Sequence, residues 1–235
     1  MNPFEVASQI ALLAAQFKEL AKTAPELRAA MRGLSQSAKA GAVDPKHVDA
    51  VRRGLFTDRG TGGIMGNQAA YEDFAESLKG ANQGGVHVRM DANDFKSINS
   101  MHGYKVGDEA IKTMGQTLRS AVDESIGHSK TKLFRLGGDE FHLHAPTHEA
   151  AAHFIRTARN KLSALAPLKG THNWSMSYGI GHDPQSADDA VTEAKKAKAT
   201  GGHPVGQAEH YAHSLVPGLE GAVPTVGVAT RFRVT

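Results

Sequence analysis

Residues 135–141 read Arg-Leu-Gly-Gly-Asp-Glu-Phe, and the rest of the chain is read outward from them. The run lies between two apolar stretches, Lys132-Leu133-Phe134 and Phe141-His142-Leu143. Two strands joined by a Gly-Gly turn make a β-hairpin, which puts Asp139 and Glu140 at its tip. Adjacent carboxylates on a tight turn repel. At about 4 Å the cost is ~4 kcal/mol for an effective dielectric near 20. An oxygen-seeking ion such as Mg²⁺ relieves that repulsion.

A second acidic segment lies upstream. Residues 86–91, Val-His-Val-Arg-Met-Asp, alternate apolar and polar with the period of a half-buried strand. Val86, Val88 and Met90 face one side; His87, Arg89 and Asp91 face the other, away from the expected core. If this strand neighbours the hairpin, Asp91 and Asp139 can share a metal. Phe95-Lys96-x-Ile98-Asn99 and Gly103-x-x-x-Gly107-Asp108 follow.

Asp91-x-x-x-Phe95-Lys96-x-Ile98-Asn99, Gly103-x-x-x-Gly107-Asp108 and Arg135-x-Gly137-Gly138-Asp139-Glu140-Phe141 together resemble the GGDEF domain of diguanylate cyclases. Ser177-Tyr178-Gly179-Ile180-Gly181 is similar to that family's later Ser-x-Gly strand. Asp58-x-x-Thr61-Gly62, with Asn67 and Tyr71 after it, is similar to its opening segment, with about two extra residues. The resemblance covers about 58–202. A Gly-Gly-Asp turn alone is common; the specificity lies in the order and spacing of all the pieces.

The resemblance implies an enzyme that condenses two GTP molecules into cyclic di-GMP with release of pyrophosphate, dependent on Mg²⁺ or Mn²⁺. Each step is attack of a ribose 3′-hydroxyl on an α-phosphate, and a pair of metal ions about 3.5–4 Å apart can clamp the attacking and leaving oxygens. On this reading Asp91 and the backbone carbonyl of Ala92 are metal ligands. Asp139 bridges the metals and accepts the proton, and Glu140 supports ligation. Lys96 stabilises phosphate charge. Asn99 and Asp108 read guanine, whose N1–H and amino group donate to a carboxylate as adenine's edge does not. Lys195 reaches the phosphates. The bland alternatives are a solvated strand end for Asp91, a surface lysine for Lys96, a helix N-cap for Asp108 and a solvated basic face shared with Lys196 and Lys198 for Lys195. Arg135 reads as a support beneath the hairpin. Gly62 and Gly63 could let backbone N–H groups approach a phosphate, or form an ordinary loop.

Composition narrows the field. The chain has 235 residues, no cysteine and a net charge of +3 with histidines neutral. A chain of this size buries roughly 70% of its unfolded surface, so a self-sufficient core is expected. The absence of cysteine excludes disulfides and thiolate zinc sites. The mild positive charge is not the concentrated basic face of a nucleic-acid binder, and no nucleic-acid partner is expected. The apolar run Ile10–Ala15 is far too short for a membrane span, and no basic leader precedes it. The reading is of a soluble cytoplasmic chain with no membrane partner.

Three segments are expected: a helical extension over 1–56, a GGDEF domain over 57–202 and a tail over 203–235. Asn2-Pro3, Thr23-Ala24-Pro25 and Asp44-Pro45 look like helix starts. Val6, Ile10, Leu13, Phe17 and Leu20 make an apolar stripe, read either as docking on its own domain or as a dimerisation seam. Further on, helices near 67–79, 107–123, 147–164 and 186–200, strands ending at Asp91 and over 173–180, and a hairpin near 132–145 give an α+β class. The element order suggests an antiparallel α+β sandwich with helices on one face, and the resemblance implies a palm-like antiparallel sheet sandwiched with helices, of nucleotidyl-cyclase type. A strand is placed within Thr225–Val234.

The chain departs from the family pattern in places. Ser100 stands for the usual Asp, Tyr104 for His, and Ala197-Lys198-Ala199, or Gly201-Gly202-His203 after a short insertion, for Gly-Arg-Asn. His128 and Thr131 occupy the Arg and Asp positions of the product-inhibition motif, so no inhibition is expected there. His142 with His144, and His210 with His213, have no obvious third partner for a metal. The leading function is a cyclase acting as a homodimer, since one domain holds one GTP. The alternative is a GGDEF-like module that binds GTP or a cyclic dinucleotide without turnover. A template-directed polymerase is disfavoured by the modest charge.

Overall fold

The fold is seen in a computed structural model that describes residues 24–79, 84–170, 172–199 and 228–230. Three helices come first: α1 over Ala24–Lys39, α2 over Pro45–Phe56 and α3 over Gln68–Leu78. Asp44 caps α2, its side chain accepting from Lys46 N at 2.8 Å, with Pro45 in the first turn. α1 and α2 bury Met31, Val48 and Val51 together, and both touch α3. These two helices therefore dock on their own chain. The stripe from Val6 to Leu20 lies outside the described residues.

The sheet is built from β1 (Val86–Ala92), β2 (Lys132–Gly137), β3 (Glu140–Ala145), β4 (Met176–Gly181) and β5 (Val228–Thr230). Its order is β2-β3-β1-β4-β5. The first four strands are antiparallel and β5 runs parallel to β4. The α+β class and the antiparallel palm-like sheet stand. β5 falls inside the strand expected at 225–234, whose remaining residues lie outside the described ones.

Between β1 and β2 come α4 (Phe95–His102) and α5 (Tyr104–Asp123). Helix α4 is not among the elements expected from sequence. It starts after Asp94, which is left-handed at φ 59, and ends at Gly103, at φ 82. The long helix begins at Tyr104, so Asp108 sits in its second turn and is not an N-cap.

Val86, Val88 and Met90 meet Phe141, Leu143 and Tyr178 across the sheet. Ile111, Met114 and Leu118 of α5, with Phe154 and Leu162 of α6 (His148–Ala164), close this main core. The one-face reading of the element order is corrected here, because the other face is also covered, and the sheet sandwiched with helices stands. Tyr71 and Phe74 of α3 pack on Phe134, His142 and His144. α7 (Pro184–Ala199) lies so close to β4 that a Cβ on Gly179 would meet Ala187 O and Val191 N. Polar residues of β1 tolerate this cover because each is partnered. His87 Nδ1 lies 3.1 Å from His142 Nε2, Arg89 pairs with Asp188, and Asp91 pairs with Lys195.

Candidate active site

The site forms where the hairpin turn seats on the end of β1. Gly137 (φ 154) and Gly138 (φ 50) supply backbone angles that side chains resist, and a bulge between Arg135 and Gly137 re-aims the tip. Arg135 holds the turn from beneath. Its Nε and Nη2 donate to Gly138 O at 3.0 and 2.7 Å, and its Nη1 pairs with the Asp58 carboxylate at 3.2 Å. The opening segment thus braces the hairpin. Gly62 and Gly63 close a turn, donating to Arg59 O and Asp58 O, so their N–H groups do not face a phosphate. Asn67 caps α3, accepting from Ala70 N at 3.0 Å.

The tip is docked by one backbone hydrogen bond, Ala92 N to Asp139 O at 3.1 Å. Glu140 sits directly across from Asp91 in the β1–β3 register. From α7, Lys195 Nζ donates to Asp91 Oδ2 at 2.8 Å. The structure therefore brings Asp91, Ala92, Asp139, Glu140 and Lys195 together. Asp91 is buried, Asp139 half-buried and Glu140 exposed.

The charges show strain of the kind a cation relieves. Burial raises the Asp139 pKa, and the Asp91 carboxylate raises it further, against a backbone hydrogen bond and Lys195. Burial alone would lower Lys195, but its hydrogen bond and charge pairing with Asp91, helped by Asp139 and Glu140, leave it raised. Asn93, beside these groups, ties β1 to β4: it donates to Ser175 Oγ at 3.0 Å and accepts from Ser177 Oγ at 2.8 Å. Sequence reading missed Asn93, as it missed the Asp58–Arg135 pair. Opposite charges separated by 77 positions give no local pattern to find.

Lys96, in the first turn of α4, has an exposed side chain. The first N–H groups of that helix have no partners within it. Asn99 follows one turn later and packs on Gly107, where a Cβ would collide with Asn99 Oδ1. That oxygen is buried with no hydrogen-bond partner, and a buried acceptor without a donor is costly. Asp108 is exposed on α5 one residue further along. Among the described residues no three His, Cys, Asp or Glu side chains surround one point as a metal cage would.

A family model described as "Diguanylate cyclase, GGDEF domain" matches residues 58–200, well over half of the chain. Among solved structures, the coiled coil and GGDEF domain of DgcB from Caulobacter crescentus, in complex with c-di-GMP, is similar at 20% identity and TM-score 0.54. That likeness covers 73% of this chain and 94% of the other. Diguanylate cyclase SiaD from Pseudomonas aeruginosa, in complex with its activator SiaC, is similar at 20% identity and TM-score 0.54, with 81% of each chain covered. At these identities the likeness shows the fold. Curated relatives include uncharacterized membrane proteins of Staphylococcus aureus, 32% identical over 122 residues, which is 45% of this chain and 33% of theirs. The chain thus spans about a third of the length of these relatives. Among the described residues no helix is long and apolar enough to cross a membrane.

Proposed function

This chain belongs to the diguanylate cyclase GGDEF family, and from that premise we propose that it condenses two GTP into cyclic di-GMP in the cytoplasm, as a homodimer. The observation that carries the reading is the meeting of Asp91, Asp139 and Lys195 at the end of β1, beside the start of α4. The donor set is all oxygen, which fits Mg²⁺ or Mn²⁺: the Asp91 and Asp139 carboxylates and the Ala92 carbonyl would hold the ions. Two carboxylates suffice, because Mg²⁺ keeps several waters and takes further oxygens from substrate phosphates. When bound, the ions neutralise phosphate charge and make the ribose 3′-hydroxyl a better nucleophile.

The chain's own residues do the rest. Lys96, Lys195 and the first N–H groups of α4 bind the triphosphate. Asn99 and the Asp108 carboxylate read the guanine N1–H and amino group. Asp139 takes the hydroxyl proton as the 3′-oxygen bonds to the α-phosphorus and pyrophosphate leaves. A carboxylate pushed up by burial and by Asp91 holds a proton more firmly, which suits that role. Glu140 supports the metal side of the turn. Two domains must face each other, because each supplies one GTP to a symmetric product.

A binding module without turnover is the second reading. Its support is Ala199, which ends α7 where the family carries an asparagine after its arginine, and the loss of that arginine just before it. Incubation of pure protein with GTP and Mg²⁺, with products resolved by chromatography, decides between them. Cyclic di-GMP is expected, and Asp139→Ala should lower its formation at least ~100-fold while leaving the melting temperature nearly unchanged. Bound but unconsumed GTP would overturn the cyclase reading in favour of the module.

A further inference from the structure

A cleft of about 440 Å³ opens between α3 and α7, over the polar face of the sheet. Arg89 forms its floor, Tyr71 one wall and Glu140 and Asp188 its acidic border, with Gln68 and Gln185 at the mouth. Arg89 is held in place by a 2.9 Å bond from its Nε to Asp188 Oδ1, with its side chain 19% exposed. That bond uses one edge of the guanidinium. Its two terminal nitrogens make no hydrogen bond among the described residues. Glu140 projects from the same face as Arg89 and is its diagonal neighbour, since Arg89 pairs with His142 and Asp91 with Glu140. Diagonal neighbours on a sheet stand about 7–8 Å apart.

We propose that this cleft binds a guanine base outside the catalytic pocket. An arginine edge matches the neighbouring O6 and N7 acceptors of guanine, and a carboxylate matches its N1–H and amino donors. A purine ring spans the gap between two such groups. Adenine offers a carboxylate no neighbouring pair of donors. Phosphate is disfavoured by Glu140 and Asp188, and a simple cation by Arg89. The cleft lies at the turn end of the hairpin; His128 and Thr131 lie at the far end of β2, where Thr131 Oγ1 is committed to Gly127 O at 3.2 Å. The inference rests on the proposed guanine-nucleotide chemistry, and it makes either the substrate or the cyclic product a ligand that reaches Glu140 from outside.

Calorimetric titration of the full chain in metal-free buffer tests it, with guanosine, adenosine, GTP and cyclic di-GMP as probes. Guanosine should bind at least about tenfold more tightly than adenosine. Arg89→Leu and Gln185→Trp should each weaken guanosine at least tenfold; the second is exposed and fills the mouth without touching the core. Asn99→Ala, which removes the proposed base reader of the catalytic pocket, should leave this binding intact. Tighter binding of cyclic di-GMP than of GTP identifies the product as the occupant, and the reverse order identifies the substrate. Equal binding of adenosine, or loss of binding in Asn99→Ala with none in Gln185→Trp, overturns the proposal. The titration run on Asp139→Ala separates it from the catalytic reading, because binding in the cleft does not need turnover.

Discussion

Asp139 carries opposing demands. Burial and the Asp91 charge disfavour its ionised form, and Lys195 only partly offsets them. A folded-state pKa raised above the unfolded one means that the ionised side chain works against folding at neutral pH. Removing the charge while keeping the shape should therefore stabilise the metal-free protein. Asp139→Asn is expected to raise Tm at pH 7 by about 1–2 °C, since turn substitutions move stability by roughly half a kcal/mol and ~1 kcal/mol is worth about 2–4 °C at this size. Calorimetric melting in EDTA reads the shift, and adding Mg²⁺ should stabilise only the unmutated protein. A lower Tm for the variant in EDTA would show that the turn carboxylate is structurally supportive. A residue that costs stability and serves chemistry is the usual sign of a functional trade-off.

Among the elements, α7 depends on two glycines of β4. Cβ atoms on Gly179 and Gly181 would meet α7 backbone at Ala187. The helix lies flat there, and the approach sets Asp188 over Arg89 and, seven positions on, Lys195 over Asp91. Gly179→Ala should push α7 off the strand, destabilise by about 1–3 kcal/mol as overpacked cores do, and weaken GTP binding together with stability. Urea unfolding and nucleotide titration on the one variant check both; a stability loss with GTP affinity unchanged would uncouple Lys195 from the site. Much of this architecture is legible in the sequence. The period-two run at 86–91 and the Gly-Gly turn announce β1 and the hairpin, and Asp44-Pro45 announces α2. The cover over His87, Arg89 and Asp91 is not legible, because alternation reports two faces but not which of them meets water. Helical periodicity alone does not single out Lys195 among its lysine neighbours; the resemblance named it, and its turn toward β1 sets it on Asp91. Helix α4 is short, and its start rests on the left-handed backbone of Asp94, an angle no local pattern advertises.

The whole molecule carries a histidine layer under α3 that should govern its stability against acid. His87, His142 and His144 are all buried. Their rings touch one another and the rings of Tyr71, Phe74 and Phe134. Burial lowers the His87 pKa to about 4, aided by His144 and opposed by Asp183. His142 is pushed well below the ordinary histidine value by burial, then by His87, Arg89 and His144. Burial lowers His144 as well. A base whose folded pKa is depressed binds its proton more readily when unfolded. Its contribution is fully present above the unfolded value near 6.5 and is lost as pH falls toward the folded value. Each such histidine adds up to ~1.4 kcal/mol of lost stability per pH unit in that window. The protein should therefore lose stability steeply between pH 6.5 and about 4, the folded value for His87. His142→Phe keeps a ring in the layer and removes one proton site, but it also removes Nε2, the partner of the buried His87 Nδ1 at 3.1 Å. The variant should be less stable in urea at pH 8 by about 1–3 kcal/mol for the unpartnered His87 nitrogen, yet show a shallower fall in stability by about one proton's worth below pH 6.5. An unchanged slope would mean that the acid sensitivity does not reside in His142.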